Sequence, residues 1–99
     1  MRNFRSTMSQ LIESKITITN KLGLHARAAA KLVGVASKHT CDIYIGLPGH
    51  MVNAKSIMSV MLLAASRGTE LCLRVSGSNA EVAHEAICTI INNRFDEEE

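Results

Sequence analysis

The chain has 99 residues, the size of one domain that can bury a core of its own. A formal net charge of +2 and an aromatic content of 3% argue against nucleic-acid binding, which uses clustered positive charge and aromatic stacking. No apolar run is long enough for a membrane span or a secretion signal, and three widely spaced cysteines outline no disulfide or metal framework, so a cytoplasmic protein is predicted.

The first part of the chain predicts a strand followed by a helix. Residues 1–14 are polar and are expected to form a flexible extension, within which Met8 could be an alternative start. Residues 15–20 alternate isoleucine with threonine, as in a half-buried strand, and Gly23 marks the loop that follows. The alanine-rich residues 26–38 predict a helix, whose apolar face would consist of Ala29, Leu32, Val33 and Ala36.

The middle of the chain predicts a hairpin, a helix and a strand. Residues 41–45 alternate as a strand, Pro48-Gly49 signals a turn, and residues 51–54 would return beside the first strand. Residues 56–65 are helical by pattern, with a core stripe at Ile57, Val60, Met61 and Ala64. Residues 70–75 then alternate clearly, as in a strand with one buried face.

The last part of the chain predicts a helix and an acidic tail. Ser78 and Glu81 have the spacing of a capping box. The helix after it would bury Ala83, Ala86, Ile87, Ile90 and Ile91. Residues 96–99 are all acidic and are expected to be solvated, which leaves residues 15–95 as the domain. The order of elements and the one-sided strands predict an α+β fold: a four-stranded antiparallel sheet covered on one side by three helices.

His25 and Arg27 stand where the first predicted strand and loop lead into a helix. The first turn of a helix has free backbone N–H groups and a partial positive charge, so it favours a bound phosphate. Arg27 could add a charge-assisted hydrogen bond to that phosphate. The positive field also favours the neutral imidazole of His25, which is its nucleophilic form. On spacing alone, a lone histidine at a helix start is more often a surface or capping residue.

The sequence Gly-Leu-His-Ala-Arg at residues 23–27, with Asn-Ala-Lys-Ser-Ile-Met at residues 53–58, resembles the HPr family of histidine-containing phosphocarriers. The likeness covers most of the chain, from Lys15 to Phe95. It implies an open-faced β-sandwich and a soluble component of the bacterial phosphoenolpyruvate-dependent phosphotransferase system. Residues 92–98 and residues 20–23 are more similar to the nitrogen-related branch (NPr) than to the sugar-transport branch.

The resemblance implies a role for each matching residue. His25 would accept a phosphoryl group on Nδ1 from phosphorylated enzyme I and pass it to a histidine of an enzyme IIA, while Arg27 steadies the phosphate. Such a carrier is no free-standing enzyme, needs no cofactor or metal, and is most simply a monomer. Ala28 departs from the family, which usually has proline at this position. Alanine suits a helix start equally well, so the assignment stands.

Two roles are possible for several further residues. Ser56 would cap the second helix, although the matching serine is phosphorylated by a regulatory kinase in some branches of the family. The apolar side chains in the first turns of that helix, Ile57, Met58 and Met61, could be core. Together with Ala26 of the first helix, they could instead form the partner-docking patch that the resemblance implies near His25.

Other functions remain open at the level of sequence. The chain could be the sugar-transport carrier, or a regulatory binding module whose phosphorylation only modulates partner affinity. A small metallochaperone has a similar order of strands and helices, but the absence of a CxxC motif or paired soft ligands argues against it.

Overall fold

The computed structural model describes residues 10–99, so the predicted start at Met8 lies outside the described residues. The order of elements is the predicted one. In chain order they are β1 (Gln10–Thr17), α1 (Ala26–Ala36), β2 (Asp42–Leu47), β3 (His50–Asn53), α2 (Ile57–Leu62), β4 (Glu70–Gly77) and α3 (Ala80–Asn92). A 3₁₀ turn, Arg94–Asp96, follows the last helix. None of the described helices is long and apolar enough to cross a membrane.

The four strands form one antiparallel sheet in the order β1-β4-β2-β3. Val75 of β4 lies opposite Ile12 of β1 and Ile43 of β2, so the register aligns apolar residues across three strands. Residues on alternate positions of β4 are buried, whereas Glu70 and Arg74 on the opposite face are exposed. The three helices cover the buried face, which confirms the predicted α+β sandwich.

The core lies between this sheet face and the helices. Fully buried side chains come from every layer, and the largest include Ile18, Leu32, Ile43, Ile45, Leu71, Leu73, Ile87, Ile91 and Phe95. In α1 the buried face consists of Ala28, Ala29, Leu32 and Ala36. This agrees with the predicted stripe except at Val33, which is only half-buried, and at Ala28, which joins the core. Small residues on α1 let the helix approach its neighbours closely.

The first strand begins earlier than predicted. Residues 10–14, assigned from sequence to the flexible extension, pair with β4 along their whole length, from Gln10 opposite Gly77 to Ser14 opposite Leu73. Ile12 and Ile16 are half-buried on the helix side. The residues between Ile12 and Ile16 are polar, which an edge strand with one buried face tolerates. The low hydrophobicity of residues 10–14 is the reason that the sequence pattern did not predict a strand there.

Helix α2 is shorter than predicted and has a different exposed face. It ends at Leu62, and Ala64 adopts a left-handed backbone with φ of 51°. Of the predicted core stripe only Val60 is buried, whereas Ile57, Met61 and Ala64 are exposed. The stripe was wrong because a helix of six residues makes fewer than two turns and meets the core at one position.

The capping box predicted at Ser78 and Glu81 is also wrong. Helix α3 begins at Ala80, and its N-cap is Asn79, whose φ is 60° and whose side chain makes no capping hydrogen bond. Asparagine tolerates this left-handed conformation better than most residues. The turn from β4 into α3 therefore depends on the backbone of Asn79 and not on a serine hydroxyl.

Candidate functional site

His25 is the N-cap residue of α1. Its backbone is extended, with φ of −77° and ψ of −179°, and its carbonyl accepts the first helical hydrogen bond from the Ala29 N–H at 2.8 Å. The N–H groups of residues 26–28 precede that first bond, and within residues 10–99 no hydrogen-bond acceptor is found for them. The His25 side chain, 29% exposed, therefore lies beside an open, partly positive helix end.

A tight loop holds His25 in this position. The Leu24 N–H donates to the Ala65 carbonyl at 2.8 Å, and the buried Leu24 side chain anchors the loop in the core. Gly23 has φ of 70°, and a Cβ at this position would overlap the Ala65 carbonyl oxygen and come within 2.9 Å of the Ser66 Cα. Glycine is required here both by the backbone conformation and by the close approach of the chain.

The acidic tail, predicted to be solvated, contacts the histidine. Oε2 of Glu97 lies 2.5 Å from Nε2 of His25, and Oε1 of Glu97 accepts a hydrogen bond of 3.0 Å from Nδ2 of Asn20. The same amide nitrogen donates to the Gly23 carbonyl at 2.8 Å. The Glu97 side chain is only 15% exposed. The carboxylate therefore connects the loop before α1 to the imidazole.

Phe95 brings the tail to this place. Its side chain is 1% exposed, and Arg94, Phe95 and Asp96 all have left-handed backbones, with φ between 55° and 64°. Each such residue costs about 1–2 kcal/mol, so burial of a phenyl ring is needed to hold the turn. An ion pair of 3.3 Å between Lys31 and Asp96, and another of 3.2 Å between Lys21 and Glu99, flank the Glu97 contact.

Electrostatics at the site favour an ionised Glu97. Desolvation by burial favours the neutral carboxyl, but hydrogen bonds from Asn20 and His25 and the charges of His25 and Arg27 together outweigh it. The pKa of Glu97 is consequently held below its ordinary value. At neutral pH the group facing Nε2 of His25 is a carboxylate, which can only accept hydrogen bonds.

Arg27 and His25 share one open depression of about 610 Å³ at the surface, together with Lys21, Leu22, Ala26, Glu97 and Glu99. Arg27 is the second residue of α1 and is exposed, so its guanidinium can reach an anion at the helix end. Ala28, the residue that departs from the proline usual in the family that the sequence resembles, is fully buried. Its backbone N–H belongs to the open helix start, and alanine adds a donor there that proline would lack.

The predicted docking residues are exposed. Side-chain exposure is 40% at Ile57, 65% at Met58 and 38% at Met61, and Ala26 is exposed at the start of α1. Leu62 adds a further apolar side chain, 77% exposed, that the sequence did not single out. Since α2 packs against α1 and the segment after α2 contacts Leu24, this apolar patch neighbours the histidine loop.

Ser56 is the N-cap of α2, as predicted. Its hydroxyl accepts a hydrogen bond of 3.4 Å from the Ser59 N–H and lies 3.0 Å from the Ser59 hydroxyl. The Ser56 side chain therefore caps the N-terminus of α2. Phosphorylation of Ser56 by a regulatory kinase stays a prediction.

Sequence reasoning predicted His25 and Arg27 as site residues, and the structure places them in one depression. Sequence reasoning did not single out Asn20 and Glu97, which lie beside them. The signal that could have revealed Glu97 is Phe95, one of only two phenylalanines in the chain, directly before the acidic run. An aromatic residue in that position indicates that the chain is still attached to the core, and that the next carboxylates lie against the fold.

The chain is similar to known phosphocarrier proteins over most of its length. Residues 12–93 match the family described as PTS HPr component phosphorylation site. The phosphocarrier protein HPr of Pseudomonas aeruginosa is 55% identical over 86 residues, covering 86% of this chain and 96% of that protein. The phosphocarrier protein NPr of Shewanella violacea is 38% identical, covering 87% of this chain and 94% of that protein.

A solved structure shows the same fold. HPr-C-His from Thermoanaerobacter tengcongensis has a TM-score of 0.84 at 42% identity, covering 89% of this chain and 99% of that chain. The segment that matches the family model, residues 12–93, begins within β1 and includes every later strand and helix to the end of α3. The chain belongs to the HPr family, whose members are phosphocarrier proteins of the phosphotransferase system and not catalytic enzymes.

Proposed function

We propose that His25 is the phosphoryl acceptor of this carrier and that Arg27 stabilises the phosphate. The observation that carries the proposal is the open start of α1, whose first turn holds the partly exposed imidazole of the N-cap residue, three backbone N–H groups without an acceptor in residues 10–99, and an exposed guanidinium. Transfer of a phosphoryl group needs an in-line nucleophile and stabilisation of negative charge. The start of α1 offers both within one helical turn.

Enzyme I is the proposed donor and a histidine of an enzyme IIA the proposed acceptor. The exposed apolar patch of Ile57, Met58 and Met61, with Ala26, is the proposed docking surface for both. Flexible methionine side chains adapt to more than one partner surface, which suits a carrier that meets two proteins in turn. A monomer leaves this surface free for each partner. The proposal includes a cytoplasmic location, with which three free cysteines accord.

The test is phosphorylation by phosphoenolpyruvate and purified enzyme I. We expect an acid-labile, alkali-stable phosphoprotein in the natural chain and none in His25→Ala. His50→Ala is the matched control, because His50 is exposed in the hairpin at the start of β3 and should be labelled at the natural rate. Labelling that survives in His25→Ala would overturn the proposal.

The finer part of the proposal assigns the carrier to the nitrogen-related branch. It is supported by the sequence of residues 92–98 and residues 20–23. A relative named NPr is among the matches, although the relative named HPr from Pseudomonas aeruginosa is more similar. The test compares single-turnover transfer from the phosphorylated chain to a nitrogen-related enzyme IIA and to a sugar-specific one. We expect faster transfer to the nitrogen-related acceptor. Faster transfer to the sugar-specific acceptor would instead assign the chain to the sugar-transport branch.

A further inference from the structure

We propose that Glu97 is a positioning residue for phosphoryl transfer, which holds His25 in the tautomer and ring orientation that expose Nδ1. This inference rests on the proposed function of His25. The contact that carries it is the one between Oε2 of Glu97 and Nε2 of His25, 2.5 Å apart and separated by 72 positions in the chain.

The tautomer follows from the chemistry of the two partners. An ionised carboxylate only accepts hydrogen bonds, so the short contact requires that Nε2 of His25 carries the proton. In the neutral ring the lone pair then lies on Nδ1, which is the nucleophilic nitrogen. The orientation follows as well, because a ring flip would break the contact with Glu97.

Glu97 is itself held in place. Its second oxygen accepts a hydrogen bond from Nδ2 of Asn20, a fully buried residue that also binds the Gly23 carbonyl. Asn20 thus ties the carboxylate to the loop that presents the histidine. Because each oxygen of Glu97 has its own partner, the carboxylate keeps both contacts only while its plane stays in the present orientation.

The transfer step can be written with this arrangement. The Nδ1 lone pair attacks the phosphorus of the donor phosphohistidine, an Nδ1–P bond forms, and the P–N bond of the donor breaks, returning its electron pair to the donor nitrogen. The His25 ring then carries the phosphoryl group on Nδ1 and the proton on Nε2. Its positive charge faces the Glu97 carboxylate, which stabilises the ring charge that develops during transfer.

The experiment combines a rate and a spectroscopic signature. Three variants are compared with the natural chain: Glu97→Ala removes both contacts, Glu97→Gln can accept from only one of the two donors, and Glu98→Ala removes an exposed neighbouring charge as the control. Single-turnover phosphorylation by enzyme I gives the rate. The ¹⁵N shifts of the His25 ring give the tautomer, which a merely structural role of Glu97 would not change.

We expect Glu97→Ala to be phosphorylated about tenfold more slowly, the scale of a lost charge-assisted hydrogen bond, with Glu97→Gln in between and Glu98→Ala unchanged. The ring of Glu97→Ala should move from the Nε2–H tautomer toward the mixture seen in free histidine. An unchanged rate and tautomer would overturn the inference, and so would a faster rate, because the carboxylate would then obstruct the site. If His25→Ala lost its label while Glu97→Ala matched Glu98→Ala, only this inference would fail and the phosphoryl acceptor would stand.

Discussion

The N-termini of α1 and α2 differ in whether the N-cap side chain accepts a backbone hydrogen bond of its own helix. Both N-cap residues have extended backbones. At α2 the Ser56 hydroxyl accepts a backbone N–H of its own helix. At α1 the His25 side chain turns away to Glu97, and the N–H groups of the first turn are left for another acceptor.

This difference teaches that an N-cap side chain decides whether the backbone donors of a helix start are taken within the chain or left for another acceptor. A serine gains about 1 kcal/mol of stability by capping, and it does so by occupying a donor that a phosphate could use. His25 in the same place makes no capping hydrogen bond, so that stability is absent at α1. Under the proposed function, the same residue supplies the nucleophile. Four substitutions or conditions would break or sharpen the contrast.

Removing the guanidinium at the open start should have the largest effect. We expect Arg27→Ala to slow phosphorylation of the natural His25 roughly 100-fold, by loss of a charged donor aimed at the transferring phosphate. Arg74→Ala is the control, since Arg74 is exposed on the far face of the sheet and pairs with Glu13 at 2.9 Å. Equal rates in the two variants would show that Arg27 does not stabilise the phosphate.

Gly23→Ala tests whether the close approach of the loop to Ala65 holds the N-terminus of α1 in place. The added Cβ would overlap the Ala65 carbonyl oxygen at a positive φ, so a loss of about 2–3 kcal/mol in the free energy of unfolding is expected. Gly49→Ala is the matched control: its φ is 82°, but a Cβ there would meet open space. We expect a loss of only about 1 kcal/mol in the control, measured by urea unfolding. Equal losses would mean that the close approach to Ala65 is unimportant.

At the N-terminus of α2, Ser56→Ala should lower the free energy of unfolding by about 1 kcal/mol through loss of the cap. Ser59→Ala removes the neighbouring hydroxyl but keeps the Ser59 N–H that the cap uses, so its loss should be smaller. Neither variant should slow phosphorylation of His25, because this helix start is not the anion site. A slowed rate in Ser56→Ala, with its fold intact, would contradict the contrast drawn between the two starts.

The smallest effect expected is a pH dependence of stability from the Glu97 contact. The pKa of Glu97 is lower in the folded chain than its ordinary value, so the ionised carboxylate stabilises the fold at pH values above that ordinary value. This contribution is lost as the pH falls through the lowered, folded-state pKa. The free energies of unfolding of the natural chain and of Glu97→Gln, measured in urea, should therefore differ at neutral pH and become equal in acid. If the difference between the two free energies of unfolding stayed constant from neutral to acid pH, the ionised contacts of Glu97 would not stabilise the fold.

The predictable part of this molecule is the part encoded by neighbouring residues. Alternation in residues 70–75 and the alanine-rich pattern after His25 identified a strand and a helix close to their observed bounds, because periodicity reports burial directly. The pattern misled at α2, where the residues repeat at helical spacing but the helix is too short to bury them. It also missed the start of β1, where an edge strand shows little hydrophobic contrast.

The sequence by itself determined the order of the elements, the α+β architecture and the presence of His25 and Arg27 at one helix start. Only the tertiary structure decided that Glu97 meets His25, that Asn20 holds Glu97, and that Met58 and its neighbours face outward. The physical reason is distance along the chain. Helix starts and strands are set by residues within a turn or two, whereas the Glu97 contact depends on where burial of Phe95 places the end of the chain.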